Sequence, residues 1–428
     1  MKILIFLLFL LLKSFLEKEE QNIIVLNIDC KSYLNYCVIP ISFGEKNEVF
    51  TIQLDTTISE TWIPSSKFDL DVQKYDISNS KNGNKTNKKI TIYDENGYIS
   101  GKICYDSIKL KNKIIENYGF VLADNRNSEF KDYSKGKLGL GYAQNQEANF
   151  NIVKKLKEMN YIDKELFLID RYSNELVIGE IPKFLDDFPY ESCSLIDISY
   201  LDPEFSHSWA CELYKVFFGV YETTETGVYT DKNGISFPYS YTYTNFDIAT
   251  DVYGPVIFDS AIQYIYFPKK YLKDFKENFI SKFLNNKCKR QLAENLDLFF
   301  ICDKRYVEFN KNYISFFIHR KMYYLFGYNL FKPFNDHDFE LLIRFPNKLD
   351  VFKLGAPFLN NWYTIYDYEN EEIIFYGPNI KSFTSEYIQY RAGSIFLDIL
   401  KFIGIIFIII IILGCICSVI ANIMKNIC

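Results

Sequence analysis

The chain has 428 residues, of which 48% are hydrophobic and 18% aromatic, enough to bury two or three cores of ordinary domain size. Its formal net charge is −6 at pH 7, which speaks against nucleic acid as a partner. The three histidines, His207, His319 and His337, neighbour no cysteine or acidic ligand pattern, and no phosphate-binding or dinucleotide-type glycine loop occurs, so neither a metal site nor a cofactor is expected.

Met1 to Leu12 is a short apolar run behind Lys2, ended by Lys13. It is shorter than the ~20 residues that span a bilayer and reads as a secretory signal peptide, taken as residues 1–16. Glu17 to Tyr36 is a short lead-in. Strands follow at Val38 to Gly44 and Val49 to Leu54, and the second of them runs into Asp55 and Thr56. An acid at the end of an apolar strand is costly unless it is partnered or working. Lys67 to Lys89, polar and rich in Asn, Lys and Ser, reads as a long surface loop. It carries a glycosylation sequon, Asn84-Lys85-Thr86.

Ile90 to Leu110 predicts a hairpin turning at Asn96-Gly97, with Tyr93 near its tip. Lys135 to Tyr142 is a Gly-rich strand end, and Asn151 to Met159 has helical spacing. Leu176 to Gly179 closes the first half. In the second half, Trp209 to Val220 reads as a strand and Tyr221 to Tyr253 as an insertion. Gly254 to Pro268 then repeats the pattern of residues 48–64: an apolar strand, Asp259, Ser260, and an aromatic-apolar-Pro ending. One such segment is an ordinary strand and turn. Two, one in each half, point to a duplicated unit that could bring two carboxylates together. Lys269 to Phe283 predicts an amphipathic helix, Phe299 to Phe326 strands, and Tyr363 to Tyr376 a closing hairpin.

Phe402 to Met424 holds no charged residue until Lys425 and is dominated by Ile, a transmembrane-helix pattern. With the signal peptide it predicts a single-pass type I protein of the secretory pathway or cell surface. Seven of the ten cysteines precede this segment. An odd number leaves at least one unpaired in a monomer, and Cys288 with Cys302 is the favoured pair; the other connectivities stay open.

These residues together resemble the pepsin-like aspartic proteases, over Tyr36 to Tyr376. Leu54-Asp55-Thr56-Thr57-Ile58 with Trp62-Ile63-Pro64 resembles the family's Asp-Thr-Gly-Ser-x-x-x-Trp-Val-Pro, and Phe258-Asp259-Ser260-Ala261-Ile262 its second Asp-Ser/Thr-Gly-Thr. The Tyr93 to Gly101 hairpin is similar to the flap, Gly136-Lys-Leu-Gly139-Leu to Gly-Ile-Leu-Gly-Leu, and Lys353-Leu-Gly355-Ala-Pro-Phe-Leu359 to Leu-Gly-Asp-x-Phe-Leu. Membrane-anchored branches of the family include beta-secretase and plasmepsin kinds. The resemblance implies an all-β, bilobed pepsin-like fold, here with a C-terminal transmembrane helix. The lobes would lie at residues 36–189 and 190–377, and the membrane helix at 402–424. It implies a membrane-anchored aspartic endopeptidase acting on peptide or protein substrates through Asp55 and Asp259. Thr56 and Ser260 would hold the two loops by crossed hydrogen bonds, Trp62 would support them, and a flap at Tyr93 and Gly97 would close over the substrate.

The motifs also depart from the family. Thr57 and Ala261 stand where the family has Gly, and Ile58 and Ile262 where it has Ser and Thr. A Cβ at either glycine position would crowd the pair, and the lost hydroxyls would raise its pKa values. Ala356 stands where the family has Asp, and the flap is one residue longer. The alternative expectation is therefore a pseudoprotease that binds peptides in the same cleft without cleaving them.

Overall fold

The computed structural model describes residues 23–30, 36–94, 97–127, 135–142, 148–201, 205–220, 226–230, 236–240, 248–293, 296–309, 312–377 and 380–381. The expected signal peptide and the expected membrane helix at 402–424 lie outside these. Among the described residues no helix is long and apolar enough to cross a membrane. Met1–His319 with Tyr323–Ile380 forms one compact unit, and Arg320–Met322 with Lys381–Cys428 a second. Both acid-bearing strands belong to the first.

The fold is mostly β and bilobed, with short helices. In the N-terminal half eight strands form one sheet, in the order Asp29–Cys30, Cys37–Phe43, Glu48–Asp55, Lys137–Gly139, Trp62–Pro64, Lys113–Arg126, Gly97–Leu110, Asn84–Asp94. In the C-terminal half, Ile248–Phe258 pairs with Ala210–Val220, which pairs with Asn312–Ile318. A third, six-stranded sheet draws on both halves: Ile24–Asn27, Glu175–Ile178 and Leu166–Asp170 from the first, Tyr363–Asp367, Glu372–Tyr376 and Tyr190–Ser194 from the second. The supposed lead-in thus supplies a strand, because Ile24 and Leu26 find a buried face beside Leu176 and Ile178.

The duplication seen in the sequence is a duplication of pairing. Glu48–Asp55 runs parallel to Lys137–Gly139, with Asp55 opposite Gly139. Ile248–Phe258 runs parallel to Phe352–Leu354, with Phe258 opposite Leu354. In each half the strand after the acid returns antiparallel to that same short partner: Trp62 opposite Lys137, Tyr266 opposite Lys353. The motif glycines allow this crossing. A Cβ on Gly139 would lie 2.6 Å from the backbone of Ser59 and Glu60, and one on Gly355 would lie 2.4 Å from the Tyr264 carbonyl. Either would force the loop after the acid away from its strand.

Two local expectations change on folding. The stretch expected as a loop over Lys67 to Lys89 is anchored and shorter. Phe68, Tyr75 and Ile77 are buried in it, and Asn84–Asp94 is already strand, paired with Gly97–Leu110. Its polar composition hides three apolar anchors that bury area worth ~1.5–3 kcal/mol each. The helix expected over Lys269 to Phe283 forms, but mixes 3-10, α and π turns. Phe275 and Phe279, one turn apart, both reach the core. The helix Ile152–Glu158 matches its spacing, and the Asn151 side chain caps it by accepting from the Val153 and Lys154 amides.

Among the described residues three disulfides are formed: Cys30–Cys37, Cys193–Cys211 and the expected Cys288–Cys302. Such bonds fit an oxidising, secretory-pathway compartment. Cys104 is a free, buried thiol, pushed up to about 11 mainly by its burial.

Candidate active site

Asp55 ends its strand with its carboxylate buried. Three donors meet it. The Thr57 amide and the Thr57 hydroxyl bond Oδ1 at 2.8 and 2.7 Å, and Lys137 Nζ bonds Oδ2 at 2.9 Å. Lys137 is itself buried, so this is an ion pair out of water. Asp259 is equally buried; its Oδ1 accepts from the Ala261 amide at 2.9 Å, and Lys353 Nζ lies 3.9 Å from Oδ2. The Lys353 ammonium also sits 5.2 Å from the centre of the Phe205 ring.

The two acid loops are tied together. Thr56 Oγ1 donates to the Phe258 carbonyl at 2.8 Å and accepts from the Ser260 amide at 2.9 Å. Ser260 Oγ donates to the Leu54 carbonyl at 3.1 Å. Gln53 Nε2 donates to the Ala261 carbonyl at 3.0 Å, and Arg171 Nη2 to the Ser260 carbonyl at 3.0 Å. Buried hydrogen bonds of this kind stabilise by ~1 kcal/mol each when made and cost more when one partner is orphaned. The equivalent backbone closures repeat as well: Gly141 N to the Ile58 carbonyl, Ala356 N to the Ile262 carbonyl.

These tied loops, built on parallel-paired repeats, define the fold type, and the comparisons agree. Residues 35–183 match the family model described as Eukaryotic aspartyl protease. That match supports a pepsin-like aspartic protease family for this part of the chain. Aspartic proteinase A3 of Arabidopsis thaliana is 31% identical over 127 residues, covering 27% of this chain and 25% of that protein. The chain therefore aligns with about a quarter of that relative's length.

Against the family pattern, the structure reverses one expectation. The Cβ at 57 was expected to crowd the pair, and the hydroxyls lost at Ile58 and Ile262 were expected to raise its pKa values. Instead Thr57 keeps the amide bond of the family glycine and adds its own hydroxyl to the same oxygen. Burial alone would push the Asp55 carboxyl up; the Lys137 charge and the bonds from Thr57 and Lys137 outweigh it and hold Asp55 below the ordinary aspartate range. The side chain of Ile58, freed from hydrogen bonding, turns into an apolar cluster with Trp62, Phe68, Ile92, Ile99, Val121 and Ala123. Trp62 is thus buried beneath the hairpin.

The hairpin itself places Tyr93 opposite Tyr98 and Asp94 opposite Gly97, with φ of 126° at Gly97. Glu95 and Asn96, its tip, lie outside the described residues. Ile92 and Ile99 face the Trp62 cluster, whereas Tyr93 is half exposed, with its ring 5.8 Å from that of Tyr98. The extra residue in this flap-like hairpin is the physical reason: a one-residue shift moves a side chain to the other face of a strand.

Four site residues were missed by reading the sequence: Lys137, Lys353, Gln53 and Arg171. Burial draws the Arg171 guanidinium down to about 10, with Tyr366 and Asp259 acting against that. The signal for the lysines was present. Each stands immediately before Leu-Gly in its half, at a place where the family's first half carries Ile.

Proposed function

We propose that this chain is an aspartic endopeptidase, anchored to a secretory-pathway or cell-surface membrane by residues 402–424, which hydrolyses an extended peptide at Asp55 and Asp259. The observation that carries this reading is the crossed bonding at Thr56 and Ser260, which holds two buried carboxylate loops as one unit. Two facing carboxylates that share one proton can both activate a water and protonate a carbonyl. The unequal lysine distances, 2.9 Å at Asp55 and 3.9 Å at Asp259, divide these roles. Asp55, with three donors, is the group held as an anion and takes the proton of the attacking water. Asp259, with the longer lysine contact, carries the proton given to the scissile carbonyl. The flap-like hairpin at Tyr93 and Gly97 covers the peptide.

A second reading, binding without cleavage, is favoured by a specific contact: the Lys137–Asp55 ion pair occupies an oxygen of the group assigned as base. The experiment that separates the two uses the purified full chain in detergent with a mixed peptide library from pH 2 to 7, beside Asp259→Asn. Cleavage that disappears in Asp259→Asn supports the endopeptidase. Cleavage equal in both refutes it, and peptide binding without cleavage at any pH replaces it with the second reading.

A further inference from the structure

The lysines at 137 and 353 are related by the same symmetry as the acids. Lys137 lies opposite Gln53, two residues before Asp55, and Lys353 opposite Ile257, two residues before Asp259. Both are buried, and each ammonium points to the Oδ2 of the acid in its own half. Burying a lysine in an apolar strand is unfavourable without a counter-charge, so each lysine depends on its aspartate as much as the reverse.

We propose that Lys137 and Lys353 act as a pair of positioning residues that displace the shared proton of the two aspartates, confining peptidase activity to more acidic pH than the same acids would need alone. The inference rests on the endopeptidase reading and deepens it by assigning the residues that set its pH range.

Charge counting shows why. Two facing carboxylates without cations carry −2, and taking up one proton relieves their repulsion. With Lys137 and Lys353 in place the four groups sum to zero with both acids ionised, and the same proton leaves +1 in a buried site. The other groups around the acids do not reverse this. Arg171, from the segment after Leu166–Asp170, adds positive charge near Asp259. Tyr366, from Tyr363–Asp367, is a phenol whose pKa burial pushes up, so it stays neutral. Thr56, Thr57, Gln53 and the Ala261 amide contribute only dipoles.

The test compares the full chain with Lys137→Met, Lys353→Met, the double variant, and Lys137→Arg, which keeps the charge. Two readouts are taken: kcat/KM on a cleaved library peptide against pH, and NMR titration of ¹³C-labelled Asp carboxyls. The double variant is expected to gain at least about tenfold in kcat/KM at pH 5, with its optimum moved to higher pH. Each single variant should fall between, and Lys137→Arg should keep the wild-type profile. A double variant whose profile superimposes on the wild type overturns the inference and leaves the endopeptidase intact. Adding Asp259→Asn to the double variant tests the other claim: cleavage that survives refutes the endopeptidase. If no variant cleaves, the titration decides. The lysine assignment stands if an Asp carboxyl titrates at higher pH in Lys137→Met than in the wild type, and falls if the titrations coincide. If Lys137→Met does not fold, Lys353→Met carries both readouts with the same criteria.

Discussion

Replacing Thr56 by valine keeps the shape of the side chain and removes one hydroxyl. That hydroxyl both donates to the Phe258 carbonyl and accepts from the Ser260 amide, at 2.8 and 2.9 Å, and Thr56 has no exposed surface. The Thr56→Val variant would orphan one buried acceptor and one buried donor, each costing ~1–3 kcal/mol. The expected loss is roughly 2–6 kcal/mol, a large part of the ~5–15 kcal/mol that holds a typical fold together. Ser260→Ala removes a single 3.1 Å bond to the Leu54 carbonyl and is expected to cost about 1 kcal/mol. Equilibrium urea unfolding with the disulfides kept oxidised, followed by near-UV circular dichroism, measures both. The two substitutions should be non-additive, since both act on one junction. A Thr56→Val loss below about 1 kcal/mol, or a larger loss for Ser260→Ala, would refute the assignment of Thr56 as the principal tie between the acid loops.

Two further outcomes are expected. Asp55 has a folded pKa below its unfolded value of ~3.9, so its contribution to stability is present above that unfolded value and is lost as pH falls through the folded one. Urea midpoints should owe no change to this group between pH 7 and 5 and should fall below about pH 4. In Lys137→Met the fall should be smaller, because the folded pKa moves up toward the unfolded one, and equal falls in the two proteins would show that the ion pair does not set the folded pKa. Deleting everything after Tyr390 should release a secreted, soluble protein; persistence in membranes after a carbonate wash would show that another segment provides the anchor.

Much of this architecture is legible in the sequence because it rests on patterns with few physical solutions. A strand ending in Asp-Thr or Asp-Ser, repeated with the same Pro-terminated continuation, is such a pattern; the crossed hydroxyls at Thr56 and Ser260 were implied by the family resemblance. The helix after Asn151 was readable from its spacing, and Cys288–Cys302 was the favoured pair. What was not readable depended on which face a side chain takes. Tyr93 follows from the parity of a hairpin with one extra residue. Lys137 and Lys353 look like ordinary polar residues of a Gly-rich strand end until the parallel pairing with the acid strands turns them inward. The anchors Phe68, Tyr75 and Ile77 were masked by the polar composition around them.

The loss of the two motif glycines and the gain of the two lysines are connected through Asp55. A glycine at 57 supplies one amide bond and no side chain. Threonine there supplies the same bond and a hydroxyl to the same oxygen, which leaves Oδ2 for a partner of its own. Lys137 is that partner, and its burial is tolerable only because Asp55 is held as an anion on both sides. In the second half Ala261 keeps the amide bond but has no hydroxyl to add, and Lys353 stands correspondingly further off, shared with the face of Phe205. The two halves therefore carry the same substitutions to different degrees. On the endopeptidase reading proposed above, this asymmetry would give Asp55 the fixed charge and Asp259 the proton, so the residues that look like decay of a motif would be the ones that divide its two carboxylates into separate roles.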